Sequence, residues 1–363
     1  MANMSEADRL IAWFRANARL LPWRTAPRNP YHSLVSELMA QQTQLHRVVP
    51  RFEAFVERFP NLRALAAATE DEVLALWSGL GYYRRARLLH RLAREVAAGG
   101  GELPRTAAEL QALPGIGPYT AAAVASTVFG EAVPLMDGNV ARVGARVLAL
   151  AEDPRTKAGR TVVLEWVRAL MADAPPGEVN EALMELGAKI CTPSQPKCDL
   201  CPLVEGCSGH EEDDPTVYPP PRRRRETIEV HWLAVVIEDS DGRWMLRRVD
   251  EGPILKGLWL PPFKEIDPNR GLEEQARGLA PFGVESPMEF FEPIKHSITH
   301  RRIEVTLGRT RVDHPVRVPD GWSWADPEKP NLPTSSLLAK LLAWVGGSPS
   351  ASFPAVAEQP DGN

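Results

Sequence analysis

The sequence predicts a multidomain chain of two classes, an all-α domain followed by an α+β domain. Apolar residues recur at i, i+3 and i+4 through residues 1–210, a proline-rich and oppositely charged segment follows at 211–227, and beyond it apolar and polar residues alternate. At 363 residues the chain is also longer than one hydrophobic core ordinarily fills.

In the helical part, 1–210, Leu10, Ile11 and Phe14, and later Val73, Leu74 and Trp77, form apolar stripes at helical spacing. Thr106-Ala-Ala-Glu109 is a capping box that opens a short helix with Leu110 and Leu113 on its apolar face. LPGIGPYT, residues 113–120, follows at once. Gly115 and Gly117 permit a tight turn, and Pro118 suits the first position of a second helix that runs to Gly130. This helix-hairpin-helix, at about 106–130, offers backbone N–H groups that can hold a DNA phosphate without reading sequence. Eighteen residues after Tyr119, Asp137 stands before Gly138 at the start of another apolar helix, where an aspartate ordinarily serves as a cap.

All four cysteines, Cys191, Cys198, Cys201 and Cys207, fall within 17 residues, spaced Cys-x6-Cys-x2-Cys-x5-Cys. Four soft thiolates so close together suit zinc or an iron–sulfur cluster, and the spacing leaves both open. Two disulfides fit poorly, because MANMSEADRL lacks the basic-then-apolar pattern of a signal peptide and no run of about 18 apolar residues occurs. A cytoplasmic protein without a membrane span is expected.

The formal net charge of −5 argues at first against a nucleic-acid partner. Residues 1–210, however, hold 23 Lys+Arg against 22 Asp+Glu, so the acidity lies downstream. Arg84, Arg85, Arg87, Arg91 and Arg94 cluster in one segment, which fits either a DNA-binding stripe or a solvated helix face.

EEDDPTVYPPPRRRR, residues 211–225, has four prolines and few apolar residues, as a linker does. EVHWLAVVIE and RWMLRRV read as strands, Ile303, Val305 and Leu307 alternate at period two, and SSLLAKLLAWV reads as a closing helix. The second domain thus spans 228–345, and the composition of 346–363 is that of a disordered tail.

Taken together, LPWR at 21–24, SELMAQQT at 36–43, WSGLGYYRRAR at 77–87, LPGIGPYTAAA at 113–123, MDGNV at 136–140, NEALMELGA at 180–188 and the cysteine loop resemble the helix-hairpin-helix DNA glycosylase superfamily. Within it the chain is similar to the adenine DNA glycosylases, the MutY family. That resemblance implies a 4Fe-4S cluster rather than zinc on the four cysteines. It also implies base-excision repair: hydrolysis of the N-glycosidic bond of adenine mispaired with 8-oxoguanine or guanine in duplex DNA, by a monomer.

Glycosylases that also cut the backbone need a lysine amine near the hairpin to form a Schiff base. Tyr119 stands there instead, and no Lys occurs before Lys157, so a monofunctional, water-dependent enzyme is expected. Adenine is a poor leaving group, so its release needs a proton on the base and negative charge near the cationic sugar. Glu37, on a helix where burial would keep it protonated, suits the acid, and Asp137 suits the stabiliser, with Tyr119 and Asn139 orienting them.

By the same resemblance, Gln42 and Tyr82 probe the base stack during flipping, although Ala40 replaces a usual leucine wedge. Arg19, Trp23, Arg24 and Glu181 line the adenine pocket. Residues 228–345 resemble the family's Nudix-like domain that recognises 8-oxoguanine, with Ile298, Thr299 and His300 at the reading loop. The stretch KEIDPNRGLEEQARGLAPFGVE lacks the carboxylate-rich helix of Nudix hydrolysis, so binding without hydrolysis is expected. Two other readings are a related glycosylase acting on mismatched thymine or uracil, and a non-catalytic DNA-binding module. Binding alone would need neither Glu37 nor Asp137.

Overall fold

Capping chemistry sets where the helices begin. In the computed structural model, which describes residues 4–221, 226–252, 254–280, 287–298, 300–312 and 318–346, Ser5 caps α1 (Glu6–Asn17). Asn29, with Pro30 behind it, opens α2 (Pro30–Ala40). Then come α3 (Leu45–Arg58), α4 (Leu62–Ala67), α5 (Glu70–Leu76) and α6 (Arg84–Ala98). The Thr106–Glu109 box starts α7 (Ala107–Gln111), and Pro118 stands first in α8 (Pro118–Phe129), which Gly130 ends in the left-handed conformation. Asp137 caps α9 (Gly138–Val147), and α10 (Lys157–Leu170), α11 (Pro176–Lys189) and α12 (Ser208–Glu211) follow.

The described residues form two compact units. One holds those of Met1–Ala68 and Arg84–Arg223, the other Thr69–Tyr83 with those of Arg224–Glu358. Thr69–Tyr83, expected in the helical part, therefore groups with the sheet, and within that unit the Tyr83 hydroxyl donates to the Thr334 carbonyl.

The first unit is helical. One core cluster gathers Leu10, Ile11 and Phe14 of α1, Val140 and Val143 of α9, Val163 and Val167 of α10, and Val179, Leu183 and Leu186 of α11. Leu34, Leu38 and Met39 of α2, Phe52 and Phe55 of α3, and Leu89 and Leu92 of α6 are buried as well. The segment expected as a linker is partly docked: Pro215–Val217 makes a 3₁₀ turn, Pro215 is buried, and Arg146 donates to the Tyr218 carbonyl at 3.0 Å. Residues 222–225 of that segment lie outside the described residues.

The second unit is an α+β arrangement on a mixed sheet. Its strands are β1 (Ile228–Asp239), β2 (Trp244–Arg248), β3 (Trp259–Leu260), β4 (Phe263–Glu265), β5 (Glu289–Ile298), β6 (Arg301–Val312) and β7 (Trp322–Ala325), with α13 (Leu272–Ala276) and α14 (Ser336–Val345). Their order is β3-β2-β1-β6-β5, with β4 paired to β1 and β7 to β2. β1 and β6 run parallel in unbroken register from Ile228↔Arg301 to Asp239↔Val312, while β5 and β6 form an antiparallel hairpin. β1 is buried on both faces, which explains its continuous apolar run. Val230, Trp232 and Val236 pack with Ile303, Val305 and Leu307 and with Leu337, Leu338 and Leu341 of α14. Leu233, Val235 and Ile237 face Ala276 and Leu279 instead. Of the expected tail, 346–363, Gly346 caps α14 and residues 347–363 lie outside the described residues; among those described, no helix is long and apolar enough to cross a membrane.

Candidate active site

Glu37 is carried by α2, whose neighbouring Leu34, Val35, Leu38 and Met39 are buried. Burial pushes its carboxyl from an ordinary 4.5 up to about 7; the Tyr119 hydroxyl opposes the rise, the Glu181 and Asp137 carboxylates add to it, and Arg24 pulls it back. These five side chains, from α2, α8, α11 and the segments before α2 and α9, therefore feel one another. The Tyr119 hydroxyl also contacts the Met184 sulfur at 3.2 Å, and burial with the nearby Glu37 and Asp137 charges keeps it protonated.

Asp137 is held from several sides. Its Oδ1 accepts from the Val140 N–H at 2.7 Å and its Oδ2 from Asn139 Nδ2 at 3.1 Å. Burial raises its carboxyl, while these donors and Arg142 favour the charged form. Arg142 also fixes Asn139, donating to its Oδ1 at 2.9 Å and to the carbonyls of Gly187 and Cys191 at 2.8 Å each. Gly187 lets α11 approach this group: a Cβ there would lie 2.6 Å from Asn139 Cβ. Asn180, fully buried, accepts from Leu135 N–H at 3.2 Å and donates to Ser126 Oγ and the Val133 carbonyl, tying down the chain that leads to Asp137.

Beside Glu37 lies a network of paired charges. The Arg19 guanidinium grips Glu185 at 2.6 and 3.0 Å. Arg24 bridges Glu181 at 2.9 Å and Glu185 at 3.1 Å, and Arg28 donates to Glu181 at 2.5 Å. Although burial opposes it, these partners hold the Glu185 carboxyl below its usual range. Trp23 is buried and packs edge-on against Phe52, ring centroids 5.1 Å apart. Glu185, Arg28, Arg142 and Asn180 were not singled out from sequence. Glu185 and Asn180 lie inside NEALMELGA, but their spacing alone does not mark them as inward-facing.

In the hairpin, Gly115 is required twice over, by φ +78° and by Leu88 Cβ, which would sit 2.6 Å from an added Cβ. The expectation that Gly117 also serves the turn is corrected: its φ is −87°, open to any residue, and an added Cβ would meet nothing within 4 Å. No side chain caps α8, and Pro118 at its first position has no N–H to cap. Gln42 is exposed just past α2 with a left-handed φ of 53°. Tyr82, in the second unit, is likewise exposed with φ 48°. His300 lies in the β5–β6 turn, where its carbonyl accepts from Ile228 N–H at 3.0 Å, and Thr299 lies outside the described residues.

Cys191, Cys198, Cys201 and Cys207 form no disulfide and line a single cavity together with Arg146 and Ile190. Among the described residues no group of three or more His, Cys, Asp or Glu is set to hold one metal ion. Burial raises the Cys198 and Cys207 thiols and pushes Cys201 up to about 12. Arg146, 2% exposed, brings its charge to the cavity, donating to Cys191 Sγ at 3.4 Å and to the Thr192 and Pro193 carbonyls at 2.7 and 2.6 Å.

Residues 35–187 match the family described as HhH-GPD superfamily base excision DNA repair protein. The chain is 43% identical over 211 residues to the human adenine DNA glycosylase, covering 56% of this chain and 39% of that one. It is 32% identical over 255 residues to the adenine DNA glycosylase of Buchnera aphidicola subsp. Schizaphis graminum, covering 70% of this chain and 73% of that one. The chain belongs to the adenine DNA glycosylase family. This family member spans 39% to 41% of the length of its human, rat and mouse relatives. It is also similar to the solved structure of a thermostable thymine-DNA glycosylase, with TM-score 0.52 and 27% identity, covering 57% of this chain and 95% of that one.

Proposed function

We propose that this adenine DNA glycosylase family member hydrolyses the N-glycosidic bond of adenine mispaired with 8-oxoguanine or guanine in duplex DNA. The observation that carries the reading is the pairing of two carboxyls in different surroundings: Glu37, which burial raises to about 7, and Asp137, which burial also raises but which donors from Val140 and Asn139 and the Arg142 charge pull back toward the ionised form. Protonated Glu37 gives its proton to N7 of the flipped adenine. The glycosidic electron pair leaves with the base, and the Asp137 carboxylate, oriented by Asn139, stabilises the cationic sugar. Water then adds to the sugar carbon and the Glu37 carboxylate takes up its proton, which restores the acid. With Tyr119 in the place of a lysine, no amine stands ready for a Schiff base.

The uncapped start of α8 and the space above Gly117 suit a DNA phosphate, with Gly115 fixing the turn. Arg19, Trp23, Arg24 and Glu181 are assigned to the base pocket, Gln42 and Tyr82 to the stack beside the lesion. Ile298, Thr299 and His300 of the Nudix-like unit are assigned to reading the oxidised guanine. The domain division at 211–227 is retained as a functional one, catalysis before it and lesion reading after it.

The cysteine cavity suits a 4Fe-4S cluster, because all four thiols line one space and four cysteine thiolates are the ligand set such a cluster takes. Cys191, Cys198, Cys201 and Cys207 would hold it; when bound, such a cluster supplies a structural staple for the loop it closes. Four unpaired thiols also suit a protein of the reducing cytoplasm.

The likeness to a thymine-DNA glycosylase structure favours a second reading, release of mismatched thymine. Single-turnover assays on duplexes carrying A, T or U opposite 8-oxoguanine or guanine, followed by alkaline cleavage, separate the two. Adenine release supports the first; intact adenine with thymine or uracil released overturns it.

A further inference from the structure

Arg85 is a guanidinium buried at the first turn of α6, 9% exposed. Its Nη1 donates to the carbonyls of Leu38 at 2.6 Å, Met39 at 3.0 Å and Gln41, and its Nη2 donates to Thr43 Oγ1 at 3.2 Å. Leu38 and Met39 form the last turn of α2, where carbonyls lack partners within the helix and the negative end of the helix dipole lies. A glycine in the left-handed conformation ordinarily closes such an end. Here the left-handed residue is Gln42, and a cation from another helix accepts the task of holding the carbonyls.

The loop is tied from its other side too. Thr43 Oγ1 donates to the Gln41 carbonyl at 3.2 Å, and Gln41 Nε2 donates to Thr120 Oγ1 at 3.0 Å, next to Tyr119 on α8. We infer that Arg85 is a positioning residue for base extrusion: it clamps the end of α2 so that Gln42 is presented in its left-handed pose, at a fixed offset from Glu37 one turn earlier. It touches no substrate itself. The inference rests on the adenine-removal reading above.

The test uses the full chain as wild type, Arg85→Met and Arg85→Lys. The substrate is a duplex with 2-aminopurine beside the target adenine, read by fluorescence for extrusion and by alkaline cleavage for release under enzyme excess. Arg85→Met is expected to cut both extrusion amplitude and release, the latter roughly 10- to 100-fold, as displacements of about an ångström do. The pH at half-maximal release should stay put, because the charges around Glu37 are untouched. Lysine keeps the cation but cannot span the fork, so it should fall between, and it carries the test if the Met variant does not fold.

A folded Arg85→Met protein with wild-type extrusion and release overturns the inference. So does a loss that comes with normal extrusion and a shifted pH profile, which would put the effect at Glu37. A wild-type protein that extrudes but releases no adenine would instead sink the adenine reading and leave the extrusion comparison standing.

Discussion

Replacing Glu37 by Gln should cost the enzyme its chemistry and make it more stable at alkaline pH. The native carboxyl binds its proton more tightly than an unfolded one, about 7 against 4.5. Stability contributed by the protonated form is therefore lost as pH rises from 4.5 through about 7. Above that range the ionised group costs at most about 3 kcal/mol, at ~1.36 kcal/mol per pH unit, and the solvent contact Glu37 retains trims this. At about pH 5.5 the cost is only ~1 kcal/mol, so the melting advantage of Glu37→Gln should widen markedly between about pH 5.5 and 8.5. Over the same interval the acid-competent fraction of wild type falls about 30-fold, and single-turnover adenine release should fall with it. Release by the Gln variant should be down by roughly 10² to 10⁴ at about pH 5.5, a deficit that narrows about 30-fold by about pH 8.5 as wild type loses its proton. The assay is release under enzyme excess and thermal midpoint, both against pH, for the two proteins. A flat wild-type rate profile, or a Gln variant that gains nothing in alkaline solution, refutes the assignment of Glu37 as a buried acid.

Three further outcomes are expected. Asn139→Ala removes a donor from Asp137 and frees Arg142, so the Asp137 carboxyl should rise and the acidic limb of the rate profile should move to higher pH; an unmoved limb would count against the orienting role. Gly187→Ala puts a methyl into Asn139 and should lower adenine release by roughly 10- to 100-fold while costing about 1–3 kcal/mol, read by single-turnover kinetics and thermal melting. Burial and the nearby Lys340 push the His296 imidazole down to about 4, so stability should drop as pH falls from 6.5 toward 4 by about 1.4 kcal/mol per unit. His296→Leu should flatten that acid-side decline in pH-dependent melting, and an unchanged slope would place the loss elsewhere.

Local signals in the sequence carried far. The Thr106–Glu109 box, Pro118 and Gly130 fixed the ends of the hairpin helices because capping depends on a few neighbouring residues. Ile303, Val305 and Leu307 revealed their buried face by alternation alone. Partners distant in sequence stayed hidden. Nothing local says that Arg85 reaches back 44 residues to the Gln41 carbonyl, or that Arg142 reaches the Cys191 carbonyl 49 residues ahead. Gly117 misled for a related reason: a glycine kept for empty space reads the same as one kept for a turn. The grouping of Thr69–Tyr83 with the sheet unit was equally out of reach, since an amphipathic stripe names no partner.

The interlocked charges of Arg19, Arg24, Arg28, Glu181 and Glu185 bear on how this pocket can vary over generations. Each carboxylate has two arginine partners, so losing one arginine leaves its carboxylate paired, whereas losing Glu181 strands Arg28 and losing Glu185 strands the more exposed Arg19, at a cost below the about 3–5 kcal/mol of a fully buried broken pair. Single substitutions of the two glutamates therefore face the steeper barrier, while exchanges that retire a glutamate together with the arginine it would strand face a shallower one. Change at Glu181 and Glu185 should therefore come together with change at Arg28 and Arg19, while Arg24, which contacts both carboxylates, can be lost with each of them still paired.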